Sequence, residues 1–175
     1  LVTTDSLDYV KRKELFEKLG DATCKVKNYE KAIDFYKKSL EAAVLNGDMG
    51  KRLIPIYVSL YQTYIDLKEY ENALKYLHME YDLIKDIPKE ACATSLSIAN
   101  LLHLAKKDFW EIETAYRKAL AEARLTEDIS TERVVMKKLA SLCKEFNMTS
   151  LAEMLVVEAT QKNIDLNEFS KAVTI

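Results

Sequence analysis

The chain has 175 residues, 49% of them hydrophobic and 31% charged, with a formal net charge of −2. Lysines and acids interleave, so the strongly basic face that nucleic acid demands is missing, and no run of about 18 apolar residues offers a membrane span. Only three glycines and two prolines occur, too few for a turn-rich β fold, so one folded unit of long helices with short connections is expected. Leu1-Val2-Thr3-Thr4-Asp5 lacks the basic start and apolar core of a signal peptide. The chain begins on Leu1 rather than Met, which reads as a piece of a longer protein. Cys24, Cys92 and Cys143 are odd in number and widely spaced; they read as buried free thiols in a reducing compartment.

In chain order, the first helix runs from Asp5 to Lys25, with Leu15, Phe16, Leu19, Thr23 and Val26 on its apolar stripe. Lys27-Asn28-Tyr29 is a polar turn in which Asn28 can accept a backbone N–H and start a second helix, Tyr29 to Leu45. That helix carries Ala32, Ile33, Tyr36, Leu40 and Ala43 at the same three-or-four spacing. Gly20 and Ala32 are small enough to let the two helix backbones approach. Asn46-Gly47 ends the hairpin, with Gly47 suited to a left-handed cap. The acids of the following loop are too few for calcium.

A second hairpin follows. Ile56, Tyr57, Leu60, Tyr61, Tyr64 and Leu67 form one stripe, Pro55 falls in the first turn where its missing N–H costs little, and Lys68-Glu69-Tyr70 repeats the polar turn. Ala73, Leu74, Leu77, Tyr81 and Ile84 form the returning stripe, with Ala73 about 41 residues after Ala32. The third hairpin starts after Asp86-Ile87-Pro88, places Leu96, Ala99, Asn100 and His103 where the first has Phe16, Leu19, Gly20 and Thr23, and restarts at Asp108 with Glu111 as capping-box partner. Tyr116-Arg117-Lys118-Ala119-Leu120 repeats Tyr36-Lys37-Lys38-Ser39-Leu40. The fourth has Met136, Leu139, Ala140 and Cys143, then a Ser150/Glu153 capping box ahead of Ala152, Leu155, Val156 and Ala159. Asp165 and Glu168 predict a short final helix through Val173 that covers the last hairpin with Leu166 and Phe169, as the end of a stacked array requires.

The expected architecture is all-α: a right-handed superhelical solenoid of about four helical hairpins plus a C-terminal capping helix. The hairpins fall at residues 7–46, 51–86, 89–125 and 130–162, with the cap at 165–174, in a single domain. The period near 40 exceeds the ~34 of the commonest helical-hairpin repeat, which lengthens the helices.

Reactive chemistry is sparse. His78 reads as a surface residue and His103 as an inner-helix residue, neither with a Cys or acid at metal-ligand spacing. There is no glycine-rich phosphate loop and no nucleophile elbow. No catalytic residue, metal, cofactor or small-molecule substrate is expected. Trp110 reads as half-buried packing under the third turn, or as an exposed anchor for a partner.

What remains is a concave wall formed by the first helix of each hairpin. Facing it would be Glu14, Glu17, Asp21 and Lys25 in the first hairpin, and Val58, Gln62, Ile65 and Asp66 in the second. Ser97, Leu101 and Leu104 would follow in the third, and Lys137, Ser141 and Lys144 in the fourth. The wall would run from acidic through apolar to basic and suit a peptide or helix of the reverse charge order. Equally, Leu101 and Leu104 can pack internally.

The order Leu19-Gly20, Ala32, Tyr36, Ser39 resembles the tetratricopeptide pattern over nearly the whole chain. That resemblance implies a protein-interaction scaffold. One tetratricopeptide subclass grips the C-terminal carboxylates of heat-shock chaperones with an early Lys and Asn; Glu17 and Asp21 stand at those places here, against that activity. Leu19-Gly20-Asp21 with Asn28-Tyr29-x-x-Ala32, Ser97-Ile98-Ala99, Asp108-Phe109-Trp110-Glu111 and Tyr116 to Leu120 are similar to the tetratricopeptide region of Tonsoku-like proteins. That likeness implies a nuclear role at damaged replication forks, with a large partner subunit, in recombination repair. Those proteins also read new histones through ankyrin repeats, which this sequence lacks. The alternative is a cytoplasmic adaptor of the polarity or motor-cargo kind that holds a peptide or helix in its groove. A helical-repeat RNA binder would need a basic groove.

Overall fold

Helix boundaries follow from where the chain can and cannot continue its 3.6-residue apolar stripe. The computed structural model describes the backbone of residues 4–162 and the side chains of residues 8–162. Among these it contains eight α-helices and no strand: α1 (Thr4–Lys25), α2 (Tyr29–Leu45), α3 (Ile54–Asp66), α4 (Tyr70–Ile84), α5 (Pro88–Leu104), α6 (Phe109–Leu125), α7 (Ile129–Glu145) and α8 (Thr149–Gln161). A 3₁₀ turn, Gly50–Leu53, leads into α3. Pro55 lies in the first turn of α3 and Pro88 opens α5, where proline's missing N–H has no helical partner to lose. The predicted capping helix lies outside the described residues.

Every connection except that from α4 to α5 ends its helix in the same way. One residue takes a left-handed conformation: Lys27 (φ 60°), Lys68 (61°), Lys106 (55°), Glu127 (53°) and Asn147 (56°). In the first turn the Lys27 N–H donates to the Cys24 carbonyl and the Asn28 N–H to the Thr23 carbonyl, both at 2.9 Å. This crossed pair satisfies carbonyls that the helix end would otherwise orphan. Only Gly47 (φ 83°) fills such a position with the residue best suited to it. Asp108 caps α6, its Oδ1 accepting the N–H groups of Trp110 (3.0 Å) and Glu111 (3.1 Å). Asn28 caps α2 through a long 3.5 Å contact from the Lys31 N–H. The expected Ser150/Glu153 box does not form. Helix α8 begins at Thr149 with Met148 as its capping residue and no side-chain hydrogen bond there. The Asn147 turn starts the helix two residues too early for Ser150 to cap it.

The chain divides into two compact units between Ile84 and Lys85, one holding α1–α4 and the other α5–α8. In the first, Ala32, Ile33, Tyr36, Ala42 and Ala43 of α2 are buried against α1. Gly20 is needed there for a particular reason. A Cβ at that position would lie 2.5 Å from Cε1 of the Tyr36 ring, so it is an aromatic face, rather than the α2 backbone, that occupies the space. Leu15 and Val26, expected on the buried stripe, are exposed (54% and 74%) because α1 turns its packing face through Phe16, Leu19 and Gly20 instead. The second hairpin is built on tyrosines: Tyr57 and Tyr64 each lie 5.9 Å from the Tyr76 ring, and the Lys37 ammonium of α2 sits 5.8 Å from the Tyr64 ring. Such ring–ring and cation–π contacts, one tyrosine pair tilted and the other stacked, add to plain area burial.

In the second unit, α5 buries residues at 91, 92, 94, 95, 98, 99, 101 and 102, a broad face rather than a narrow stripe. Met136, Leu139, Ala140 and Cys143 of α7 and Ala152, Leu155 and Ala159 of α8 complete the core. An ionic cluster ties α6, α7 and α8. Arg124 Nε donates to Glu132 Oε1 at 2.9 Å, Lys162 Nζ to the same oxygen at 2.7 Å, and Arg124 Nη2 to Glu158. The three cysteines are unpaired, and burial pushes the Cys92 and Cys143 thiols up. That disfavours the reactive thiolate.

Candidate protein-binding surfaces

In the first unit, α1 carries the predicted Glu14, Glu17, Asp21 and Lys25, and α3 carries Gln62, Ile65 and Asp66. All are exposed except Glu17 and Ile65, which are half-buried, as is Val58. Thr63 of α3 comes within 3.9 Å of Cys24 of α1, so the two helices are neighbours. Burial raises the Glu17 carboxyl; Lys13 opposes this, and Asp21 and Glu14 add to it. Asp21 is not simply a groove acid: its Oδ1 accepts the Tyr36 hydroxyl at 2.7 Å. Burial, then this bond to a carboxylate, drives the Tyr36 phenol far above its ordinary value. One end of the acidic strip is thus fixed by the hairpin core.

A small cleft of about 180 Å³ lies elsewhere on the first hairpin, among Tyr9, Arg12, Phe16, Lys38 and Leu45. Lys38 stands over both Phe16 (5.9 Å) and Phe35 (5.8 Å), and Arg12 over Tyr9 (5.8 Å). None of the predicted residues lines it. Its signal in the sequence is an aromatic followed by a cation on the same helix face.

The second unit has a larger cleft, about 500 Å³, between α5 and α7 with Tyr116 of α6 at its back. Asn100, His103, Leu104, Lys106, Lys138 and Glu145 line it. Tyr116 donates to Asn100 Oδ1 at 2.8 Å, and His103 Nε2 meets Glu145 Oε2 at 2.8 Å. Burial and the nearby Glu145 push the Tyr116 phenol up to about 12. The His103–Glu145 pair spans 42 residues, which no local spacing rule could have found. His78 is exposed.

Among the predicted residues of this unit, Leu104 is 52% exposed and lines the cleft, whereas Leu101 is 3% exposed and belongs to the core. The expectation that Leu101 faces a ligand is therefore corrected: α5 packs on a face wide enough to take both 101 and 102. Ser97, Ser141 and Lys144 are exposed and Lys137 is half-buried. The α7 residues lining the cleft are Lys138 and Glu145, each one position beyond the predicted Lys137 and Lys144. One residue is 100° around a helix, so a small phase error selects the neighbouring face. Trp110 is 60% exposed, against the half-buried reading. Phe109 takes the buried place instead, 5.0 Å edge-on to Trp110 and 5.5 Å from the Phe146 ring. A further cleft of about 530 Å³ follows α8, where Met154 and Val157 are 65% and 59% exposed.

Among the described residues no group of three or more His, Cys, Asp or Glu side chains could hold a metal ion, and no helix is long and apolar enough to cross a membrane. The clefts are open and shallow, lined by hydrogen-bond donors, acceptors and a few apolar side chains, which is chemistry suited to gripping another chain.

No family model matches the chain. It is 45% identical over 170 residues to the Tonsoku-like protein of Drosophila melanogaster, a match that covers 96% of this chain. The chain spans only 12% of that relative's length. Among solved structures, it resembles the STAND ATPase with a tetratricopeptide repeat sensor from Pyrococcus horikoshii (TM-score 0.70, 19% identity, 97% of this chain, 26% of that one). It also resembles the Rap conjugation gene regulator of plasmid pLS20 in complex with the Phr* peptide (TM-score 0.63, 19% identity, 92% of this chain, 45% of that one). The helical hairpins are therefore tetratricopeptide-like, and the sequence similarity is to one stretch of the Tonsoku-like proteins.

Proposed function

We propose that this chain, a tetratricopeptide-like array similar to one stretch of the Tonsoku-like proteins, is a non-catalytic protein-interaction scaffold of a nuclear complex that repairs damaged replication forks by recombination. The observation that carries this is the 45% identity maintained over 170 residues. The open clefts on the two units support the same reading, as does the peptide held by the structurally similar Rap regulator. The partner is a peptide or helix of another protein, with the large partner subunit of Tonsoku-like proteins as the first candidate.

Affinity capture from separate nuclear and cytoplasmic extracts tests the proposal. Replication and recombination factors recovered from the nuclear fraction are expected. Recovery of motor or cortical proteins instead would overturn the fork assignment in favour of a cytoplasmic adaptor. A chain that captures nothing specific from either fraction would overturn the scaffold reading itself.

A further inference from the structure

We infer that the cleft between α5 and α7 holds an acidic peptide segment by its side-chain carboxylates; this deepens the scaffold reading and rests on it. Three kinds of group at the cleft point to that ligand. The first is unpaired positive charge. Lys106 and Lys138 are exposed, and among the described residues neither ammonium has an ion-pair or hydrogen-bond partner. Lys106 is also held in place. It sits at the left-handed turn position (φ 55°), with its own N–H bonded to the His103 carbonyl at 3.0 Å and the next N–H to Leu102 at 3.1 Å.

The second is an oriented amide. Tyr116 donates into Asn100 Oδ1, so the Asn100 carbonyl is occupied and its NH₂ is left to donate elsewhere. The third is the engagement of the acceptor side. Glu145 is the acid lining the cleft, and His103 already engages it at 2.8 Å. The cleft therefore presents donors and positive charge to a visitor and has its own carboxylate paired. A ligand rich in acceptors completes these groups, whereas a basic peptide would leave both ammoniums facing like charge. Leu104, half exposed at the cleft wall, gives the segment an apolar contact between its acids.

Fluorescence anisotropy on the full chain tests this with two probes. One is a short fluorescein-labelled peptide of Asp and Glu flanking a central Leu, amidated at its C-terminus so that only side-chain carboxylates are offered. The other is the same peptide with Lys in place of every acid. Saturable binding of the acidic probe alone is expected, weakening as salt rises. The K106E/K138E double variant should bind it at least about five- to tenfold more weakly. The K106R/K138R variant should retain it. Binding of the lysine probe as tightly as the acidic one, or unchanged affinity in K106E/K138E, would overturn the inference. Capture from extract separates the two levels. If K106E/K138E captures the same partners as the unaltered chain and the acidic probe does not bind, the cleft assignment falls and the scaffold stands. If the unaltered chain captures nothing, both fall.

Discussion

Replacing Gly20 with alanine isolates the contact on which the first hairpin closes. The added Cβ would stand 2.5, 2.7 and 2.9 Å from three atoms of the Tyr36 ring. Carbon atoms in comfortable contact are about 3.5–4.0 Å apart, so the ring must retreat by about an ångström. It has little room to do so, since Tyr36 is 4% exposed and its hydroxyl is tied to Asp21 at 2.7 Å. Overpacking of this kind costs roughly 1–3 kcal/mol, and loosening the hydroxyl bond adds roughly 1 kcal/mol. Against this, alanine in a helix interior is favoured over glycine by about 1 kcal/mol. The expected net loss is about 1–3 kcal/mol, read from urea unfolding followed by far-ultraviolet circular dichroism. A Tyr36→Leu background supplies the control, because without the ring the same Gly20→Ala change should become stabilising through helix propensity alone. Equal effects in the two backgrounds, or a stabilising Gly20→Ala in the unaltered chain, would refute the ring contact as the reason for glycine.

Ala73 is fully buried, and Ala73→Phe should overpack the second hairpin by roughly 1–3 kcal/mol; an unchanged thermal midpoint would count against that placement. Lys27→Gly and Lys68→Gly should each stabilise by up to about 1 kcal/mol, because both lysines hold a left-handed conformation that glycine adopts freely; denaturant midpoints that fall instead would argue that the lysine side chains contribute more than the backbone strain removes. Leu101→Ala should cost about 2–5 kcal/mol, while Leu104→Ser should stay within about 0.5 kcal/mol; comparable losses would mean the two leucines share one environment. Burial would raise the Glu132 carboxyl, but hydrogen bonds from Lys162 and Arg124 outweigh it and hold it below its ordinary value of 4.5. Because the folded value is the lower one, its contribution is complete above pH 4.5 and is lost as pH falls through the folded value. Glu132→Gln should therefore lower stability near neutrality and flatten the acid limb of the stability profile, and an acid limb of unaltered slope would assign it to other carboxylates.

The sequence makes the hairpins legible because burial repeats with the helix period and the turns repeat with the array. Tyr29–Leu45 is an example: of its predicted stripe, Ala32, Ile33, Tyr36 and Ala43 are buried and Leu40 is half-buried, while Ser39 and Ala42 beside the stripe are buried as well. The same reasoning falters where a helix packs on more than one side. The α5 core has buried pairs at 91/92, 94/95, 98/99 and 101/102, so a one-stripe reading leaves Leu101 outside although it belongs inside. It falters again where the first residues of a helix divide the work, as Phe109 and Trp110 do, since adjacent aromatic residues offer the core two candidates and only one can enter. The binding surface is harder for a different reason. What makes the α5–α7 cleft distinctive is which groups are already engaged: His103 with Glu145 and Tyr116 with Asn100. Those pairings cross 42 and 16 residues and depend on helix phase to within one position. Spacing rules report which side chains share a face of one helix, whereas a docking surface is defined by what neighbouring helices leave unpaired. Sequence periodicity therefore reaches the scaffold directly and its chemistry only after the helices have been set against each other.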